Sequence, residues 1–522
     1  MAAASKLFGF PSLTLAAVAE AFVIIKLFPD YWGTSSHLAA VGAILCINYA
    51  FGVLFWTLLH PRLFSSLRNI PGPKALVSPA QKTLVVKGRP SGDLFFDLAA
   101  KYPEQELLNL SFLGDQIAVM SPRLMSDLLV GRCYDFVKPP RFSGFLRYVL
   151  GDGLILAEGD LHKLLRKHTA PAFHYRQIKL LYSMMWVRAE VLTKTLGKEK
   201  AVDNTGAVVI ELGNWASKVT LDIIGIAGFG RELNTVEAQV DPLAHTYEEL
   251  LDPSREKLVF ATLCFILGRE TVRWIPNRIN KVFDDLTGHL DKLCRPFVQD
   301  KKAAMAEKKD GHFDILSLLI KSGAFTDESL KDQLLTFIAA GHETTASALT
   351  WACYLLTRRP EMQSKLREEV ENALPAHNVA TMPSEELAST LEGLPYLNGI
   401  MHETLRLYPT VPMTMRHAIR DTQIDSQFIP KGTDIVIPIW YINRAPEVWG
   451  TDASEFRPER WIGENGRPNA NGGASSNYDF MTFLHGPRSC TGQGFARAEM
   501  RCLLAAMVRA FEWELAMDNK EL

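Results

Sequence analysis

The sequence predicts a mostly helical domain with a small β-rich side, preceded by an N-terminal transmembrane helix or helical hairpin. Three observations carry this reading: an uncharged apolar run near the N-terminus, long helical periodicities through the middle of the chain, and strand character confined to short stretches. The apolar run is residues 38–59, which matches the roughly twenty residues needed to cross about 30 Å of hydrocarbon as a helix. Residues 7–28 are also apolar but include Pro11, Glu20 and Lys26. They read as a second span, with an interfacial helix, one arm of a hairpin or a signal peptide as the alternatives; no small-residue cleavage site closes the stretch. Residues 29–37 hold no Lys or Arg, whereas Arg62, Arg68 and Lys74 follow the second run, so the positive-inside rule puts the bulk of the protein in the cytosol. Ile70-Pro71-Gly72-Pro73 then reads as a stiff neck, because its prolines remove donors and bias the preceding residues toward extended backbone. The domain boundary falls there: 1–70 anchor and neck, 71–522 the main domain.

Within the main domain, Leu107 to Leu113, a Gly114-Asp115 turn and Gln116 to Met120 give a hairpin signal, followed by a helix opened by Ser121-Pro122. Helical patterns fill much of 180–374. The longest runs from Asp327 to Leu356, acidic at its start and stopped by Arg358-Arg359-Pro360. Strand character returns at 433–438, residues 463–477 form a Gly/Asn/Ser-rich surface insertion, a helix covers 494–511, and 512–515 look like a strand. A net charge of -2 gives no reason to expect a nucleic-acid partner. The seven cysteines include no close CxxC pair, which fits a reducing compartment without a disulfide framework or zinc site.

One of those cysteines is unlike the rest. Cys490 stands in Phe483-Leu484-His485-Gly486-Pro487-Arg488-Ser489-Cys490-Thr491-Gly492, isolated between a cation and two glycines. A metal-binding thiolate needs a depressed pKa, an approach clear of side chains, and backbone N–H groups aimed at the sulfur. Gly486 and Gly492 are expected to allow that approach. The other cysteines read as small buried hydrophobes. The run resembles the haem-binding loop of the cytochromes P-450. The resemblance implies that Cys490 is the axial thiolate of a haem b, that Arg488 pairs with a haem propionate, and that Phe483 packs beside the sulfur.

Further segments resemble the same family in the same order. Ala339-Ala340-Gly341-His342-Glu343-Thr344-Thr345 places a glycine, an acid and a hydroxyl in mid-helix, where Gly costs about 1 kcal/mol and Thr competes for carbonyls. Read alone it is a bend with a back-bonding Thr344. By resemblance it is the oxygen-activation segment, with Thr344 bonding to the activated dioxygen and Glu343 helping to relay protons. Glu403-Thr404-Leu405-Arg406 and Phe456-Arg457-Pro458-Glu459-Arg460-Trp461 match the pair of motifs that form a buried network, here Glu403, Arg406 and Arg460. Arg416 and Arg166 occupy places where the family puts propionate partners, and His162 stands where the family has a Trp.

The resemblance covers about Pro71 to the C-terminus. It implies a membrane-anchored haem-thiolate monooxygenase of fungal microsomal type, in the endoplasmic reticulum membrane with its catalytic domain cytosolic. Electrons would come from NADPH through a separate flavoprotein reductase, for which Lys163 and Lys167 are candidate contacts, and O2 would supply one oxygen atom to a hydrophobic small molecule. Expected pocket walls are 134–152, 259–267, the helix around Phe337 and Ala340, and 410–415, all apolar-rich. Secondary-metabolite tailoring is favoured over fatty-acid or alkane hydroxylation. The alternatives are a haem-thiolate isomerase or dehydratase, against which Glu343 and Thr344 argue, and a non-catalytic haem- or sterol-binding membrane protein. Family members usually continue into a final hairpin beyond the point where this chain stops, so truncation is expected in preference to a more open pocket.

Overall fold

The computed structural model describes residues 10–27, 37–74, 90, 92–111, 114–199, 207–237, 242–251, 254–274, 278–307 and 314–516. They fall in two compact units, one of residues 1–124 with 415–438, the other of 125–414 with 439–522.

In the first unit, helix α1 (Phe10–Leu27) packs against α2 (His37–Leu54), and the two polar groups on these apolar faces pair, Asn48 Nδ2 donating to Glu20 Oε2 at 2.7 Å. α2 runs on as a π-helical stretch, Phe55–Phe64, through Pro61. Among the described residues one helix, Val41–Phe64, is long and apolar enough to cross a membrane. The apolar segment therefore runs past the expected end at residue 59, because the chain stays helical to Phe64. The neck does not stand free. Asn109 donates its N–H to Pro71 O at 2.8 Å, and a Cβ on Gly72 would lie 2.2 Å from Asn109 O, so only glycine lets the neck lie this close.

Strand β1 (Leu107–Asn109) pairs antiparallel with β2 (Gln116–Val119), Leu108 opposite Ala118. The hairpin is shorter than its apolar run suggests, because Leu110 and Ser111 both donate to Gln116 O and the ladder ends there. β3 (Thr414–Ala418) is followed by a two-stranded ribbon of β4 (Thr422–Ile424) and β5 (Gln427–Ile429), then by β6 (Asp434–Ile437), which pairs parallel with β2 and lies beside β3. The small β-rich side is thus present.

The second unit is helical, and the elements that carry the site are α3 (Gly159–Thr169), α4 (Leu212–Phe229), α5 (Asp327–Gly341), α6 (Glu343–Thr357), α7 (Pro395–Leu407) and α8 (Gln493–Ala510). Thr326 caps α5 by accepting from Ser329 N–H, with Asp327 and Glu328 in the first turn where the helix dipole favours them. The run expected as one helix from 327 to 356 is two, broken at His342. The longest described helix is instead Arg278–Ala306, which passes through Pro296.

α7 is buried along its length and holds a closed ion pair. Arg406 Nε and Nη2 donate to the two oxygens of Glu403 at 2.8 and 2.7 Å, with both side chains 0% exposed. The remaining donors of Arg406 go to the carbonyls of Asn443, Ala453 and Glu455. Arg460 Nε reaches Glu403 Oε1 at 3.4 Å, and Trp461 Nε1 donates to Oε2 at 2.9 Å. Glu403, Arg406 and Arg460 therefore meet as the sequence implies. Glu403→Ala leaves Arg406 charged and unpaired in a dry site. We expect a loss of about 3–5 kcal/mol, measured by denaturant unfolding together with cofactor content; unchanged stability would show that the pair contributes nothing.

Candidate active site around Cys490

The loop before Cys490 is held in backbone that side chains seldom adopt. Leu484 has φ +54° and Gly486 φ +76°. Leu484 N–H donates to Met481 O at 2.9 Å, Ser489 N–H to Gly486 O at 3.0 Å and Cys490 N–H to Phe483 O at 2.8 Å. A Cβ on Gly486 would lie 2.2 Å from Leu129 O, so the loop sits against the turn Asp127–Gly131 at a distance only glycine permits. A leucine in left-handed backbone is a local strain that surrounding contacts must hold. Gly492 has φ -85°, and a Cβ there would meet nothing closer than Phe173 at 3.9 Å. As α8 begins, its N–H favours the anion at the Cys490 sulfur.

Cys490 is exposed, yet burial pushes its thiol pKa up, against the Gly492 N–H and the nearby charges of Arg166 and Arg497. Phe483 is partly buried beside this loop and carries the Arg497 guanidinium over its ring at 5.2 Å. Arg497, drawn toward Cys490, has its own pKa lowered by burial to about 10.

Helix α3 delivers the next cluster. Arg166 on α3 donates to Ser489 O at 2.6 Å, to Ser489 Oγ at 3.2 Å and to Thr491 Oγ1, so it clamps both sides of Cys490. His162, one turn earlier, is 3% exposed, and burial, then the charge of Arg488, push its pKa down to about 4. Arg488 lies against the Glu158 carboxylate and over the Tyr134 ring at 5.4 Å, but all three guanidinium nitrogens are buried without a well-formed hydrogen bond. Arg416 belongs to the other unit, on β3, where it is buried and donates to Met415 O at 2.8 Å.

The helix break forms a second cluster. His342 Nδ1 contacts Ile338 O at 2.6 Å, and the His342 carbonyl, although accepting from Ala346 N–H, also takes the Thr220 hydroxyl at 3.1 Å. At Gly341 a Cβ would lie 2.8 Å from Ile224 Cγ1, so α4 approaches α5 over a missing side chain. Thr344 Oγ1 donates to Ala340 O at 2.8 Å, the back-bond expected of a bent helix. Glu343 is half-exposed, lies 3.2 Å from His342 Nε2 and accepts from Ser217 Oγ at 2.9 Å. The hydrogen bond from His342 holds its carboxyl below the ordinary value.

These residues fit a haem on their chemistry: one exposed cysteine beside groups that favour its anion, and a buried arginine none of whose nitrogens makes a well-formed hydrogen bond, which leaves donors for a further carboxylate. Glu158, Arg497 and Trp461 join the site beyond the residues read from sequence, and Tyr134, the first residue of an expected pocket wall, stands against His162 and Arg488. Trp461 was within reach, directly after Arg460 in its motif; nothing in the local pattern points to Glu158. Glu499 is a further addition. It is completely buried on α8, with neither oxygen in a well-formed hydrogen bond; burial raises its pKa well above the usual range, and Thr345 is the neighbour that opposes this.

A sequence model of the cytochrome P450 family matches residues 71–522. The chain is 38% identical over 496 residues to cytochrome P450 monooxygenase sphH of Aspergillus fumigatus, covering 92% of this chain and 90% of that one. It is 34% identical over 562 residues to cytochrome P450 monooxygenase ALT8 of Alternaria alternata, with 97% and 94% covered. Against cytochrome P450 monooxygenase FUM15 of Gibberella moniliformis it is 36% identical over 540 residues, with 93% and 90% covered.

Gly486→Ala would force a methyl into Leu129 O and place alanine at positive φ. The expected loss is about 1–3 kcal/mol from overpacking and about 1–2 kcal/mol from the backbone. Thermal unfolding of the purified variant checks this, and a stability within error of the parent would show that the loop shifts freely.

Proposed function

The chain belongs to the cytochrome P450 family and is a haem-dependent monooxygenase, and from that premise we propose that it inserts one atom of O2 into a hydrophobic small molecule of fungal secondary metabolism, with electrons from NADPH through a separate flavoprotein reductase. The observation that carries the reading is the exposed Cys490, held at the end of a strained loop where the Gly492 N–H and two arginines favour the anion. We place the protein at the endoplasmic reticulum membrane, with residues 1–70 as anchor and neck and 71–522 as the cytosolic catalytic domain; the apolar helix Val41–Phe64 supports this.

Cys490 would hold a haem through its sulfur, and the haem when bound would supply the chemistry that activates O2. The protein's part is to keep Cys490 a thiolate. Burial alone favours the neutral thiol, while Gly492 N–H, Arg166 and Arg497 favour the anion. Arg488, Arg166, His162 and Arg416 are assigned to the propionates, with Arg166 also fixing the loop through Ser489 and Thr491. Phe483 shields the sulfur. Glu403, Arg406 and Arg460 hold the scaffold behind it.

Proton supply falls to the helix break. Glu343 is half-exposed and ionised at neutral pH, so it takes protons from solvent at its carboxylate. Thr344, whose hydroxyl is parked on Ala340 O, passes a proton at Oγ1. The acid sign is fixed by the lowered Glu343 pKa: its interaction with His342 is present above the unfolded value and is lost as pH falls through the folded one.

Two experiments test the proposal. Cys490→Ser is expected to abolish the red-shifted Soret band of the ferrous carbon monoxide complex, and retention of both band and turnover would overturn the ligand assignment. With reductase and NADPH supplied, Thr344→Ala is expected to keep oxidising NADPH while product falls about tenfold or more and hydrogen peroxide rises. Unchanged coupling would assign proton delivery to another group, and product formation from a peroxide substrate without NADPH or O2 would favour an isomerase.

A further inference from the structure

Resting on the assignment of His162 to a haem carboxylate, we propose that Tyr134 is a positioning residue that fixes the imidazole tautomer of His162, so that Nε2 always carries the proton.

The need arises from the side chain at 162. An indole has one N–H at a covalently fixed atom. A neutral imidazole has one proton shared between two positions, and only one tautomer presents a donor in a given direction. His162 is neutral at physiological pH, since burial and the charges of Arg488 and Lys138 hold it so. Left to itself, it would present a lone pair to an anion for part of the time, and a lone pair repels a carboxylate.

Tyr134 removes that ambiguity. Its hydroxyl lies 3.3 Å from His162 Nδ1, with the rings tilted at 57° and 6.0 Å apart. Among the described residues this is the only hydrogen bond of the Tyr134 hydroxyl, and His162 Nε2 has none. If the phenol donates to Nδ1, the hydroxyl proton is used and the ring proton is confined to Nε2, which stays available as a donor. In the opposite arrangement Nδ1–H would donate to the phenol oxygen, the phenol proton would have no acceptor, and Nε2 would hold a lone pair beside Arg488 and Arg166. The first arrangement gives the phenol proton an acceptor at Nδ1 and leaves Nε2–H as the donor an anion needs. The Tyr134 ring is itself held, with Lys163 Nζ 4.7 Å and the Arg488 guanidinium 5.4 Å from its centroid. The hydroxyl is therefore aimed by two cations against the ring rather than by packing alone.

The test uses the full-length holoenzyme and reads haem transfer to apomyoglobin. Tyr134→Phe keeps the ring and both cation contacts and removes one hydroxyl. It is expected to release haem about five- to tenfold faster, the effect of one hydrogen bond. In a His162→Trp background, where no tautomer exists, the same substitution should change the rate less than twofold. Equal acceleration in both backgrounds, or none in the parent, overturns the proposal while leaving the assignment of His162 standing. His162→Ala separates the two ideas: if haem leaves no faster than from the parent, His162 does not hold the cofactor and the assignment falls with the proposal. A second readout avoids any dependence on the Trp variant folding. In the diamagnetic ferrous carbon monoxide complex, the 15N resonances of His162 are expected to report protonation at Nε2 in the parent and a tautomer mixture in Tyr134→Phe; protonation at Nδ1 in the parent would refute the claim.

Discussion

The catalytic unit depends on one buried ion pair. Glu403 and Arg406 are both fully out of solvent, and removing two such charges from water is unfavourable by several kcal/mol per ion unless every lone pair and donor finds a partner. Here they do: Glu403 takes Arg406, Arg460, Trp461 and the N–H of Arg457, while Arg406 spends its other donors on three carbonyls. The partners come from segments far apart in sequence, so the pair stabilises the fold only when those segments are all in place. Asn443 carries the order onward. It gives its carbonyl to Arg406, accepts from Met481 N–H and donates to Thr482 Oγ1, which fixes the chain immediately before the cysteine loop.

That chain of contacts is what a strained loop requires. Leu484 and Gly486 in left-handed backbone would relax if the residues on either side were free to move. Met481 and Thr482 anchor one side through Asn443 and Leu405 O, and Arg166 grips the other through Ser489 and Thr491. The sulfur position is therefore set by groups on α3, α7 and α8 together.

The parts legible in the sequence were those where chemistry restricts the residue type. Cys490, Arg488 and Gly486 stand out because a thiolate loop tolerates few substitutes, and Glu403, Arg406 and Arg460 because a buried charge network is only workable with those groups. Geometry set by packing was not legible. Arg278–Ala306 runs through Pro296, with buried side chains such as Phe283, Leu290 and Val298 on either side of the proline packing the helix in place. The apolar pattern continues across the break at His342, yet Gly341 and Thr344 marked a bend there; what the sequence did not show is the close approach of Ile224 over Gly341. Residues 512–515, read as a strand, have no strand partner among the described residues. Trp513 instead exchanges both backbone hydrogen bonds with the Gln363 side-chain amide.

The two clusters of the site are joined through one helix, and its charges are distributed with opposite purposes at its two contacts. α8 begins at the sulfur with Gly492 N–H, where the positive end of the helix dipole and Arg497 both favour an anion. Two turns along, the same helix buries Glu499 beside Thr345, the residue next to Thr344, and there burial disfavours an anion and raises the carboxyl pKa well above the usual range. One helix thus favours an anion at its first turn and disfavours one two turns later, and the two environments differ because the first is the open positive end of the helix and the second its packed interior.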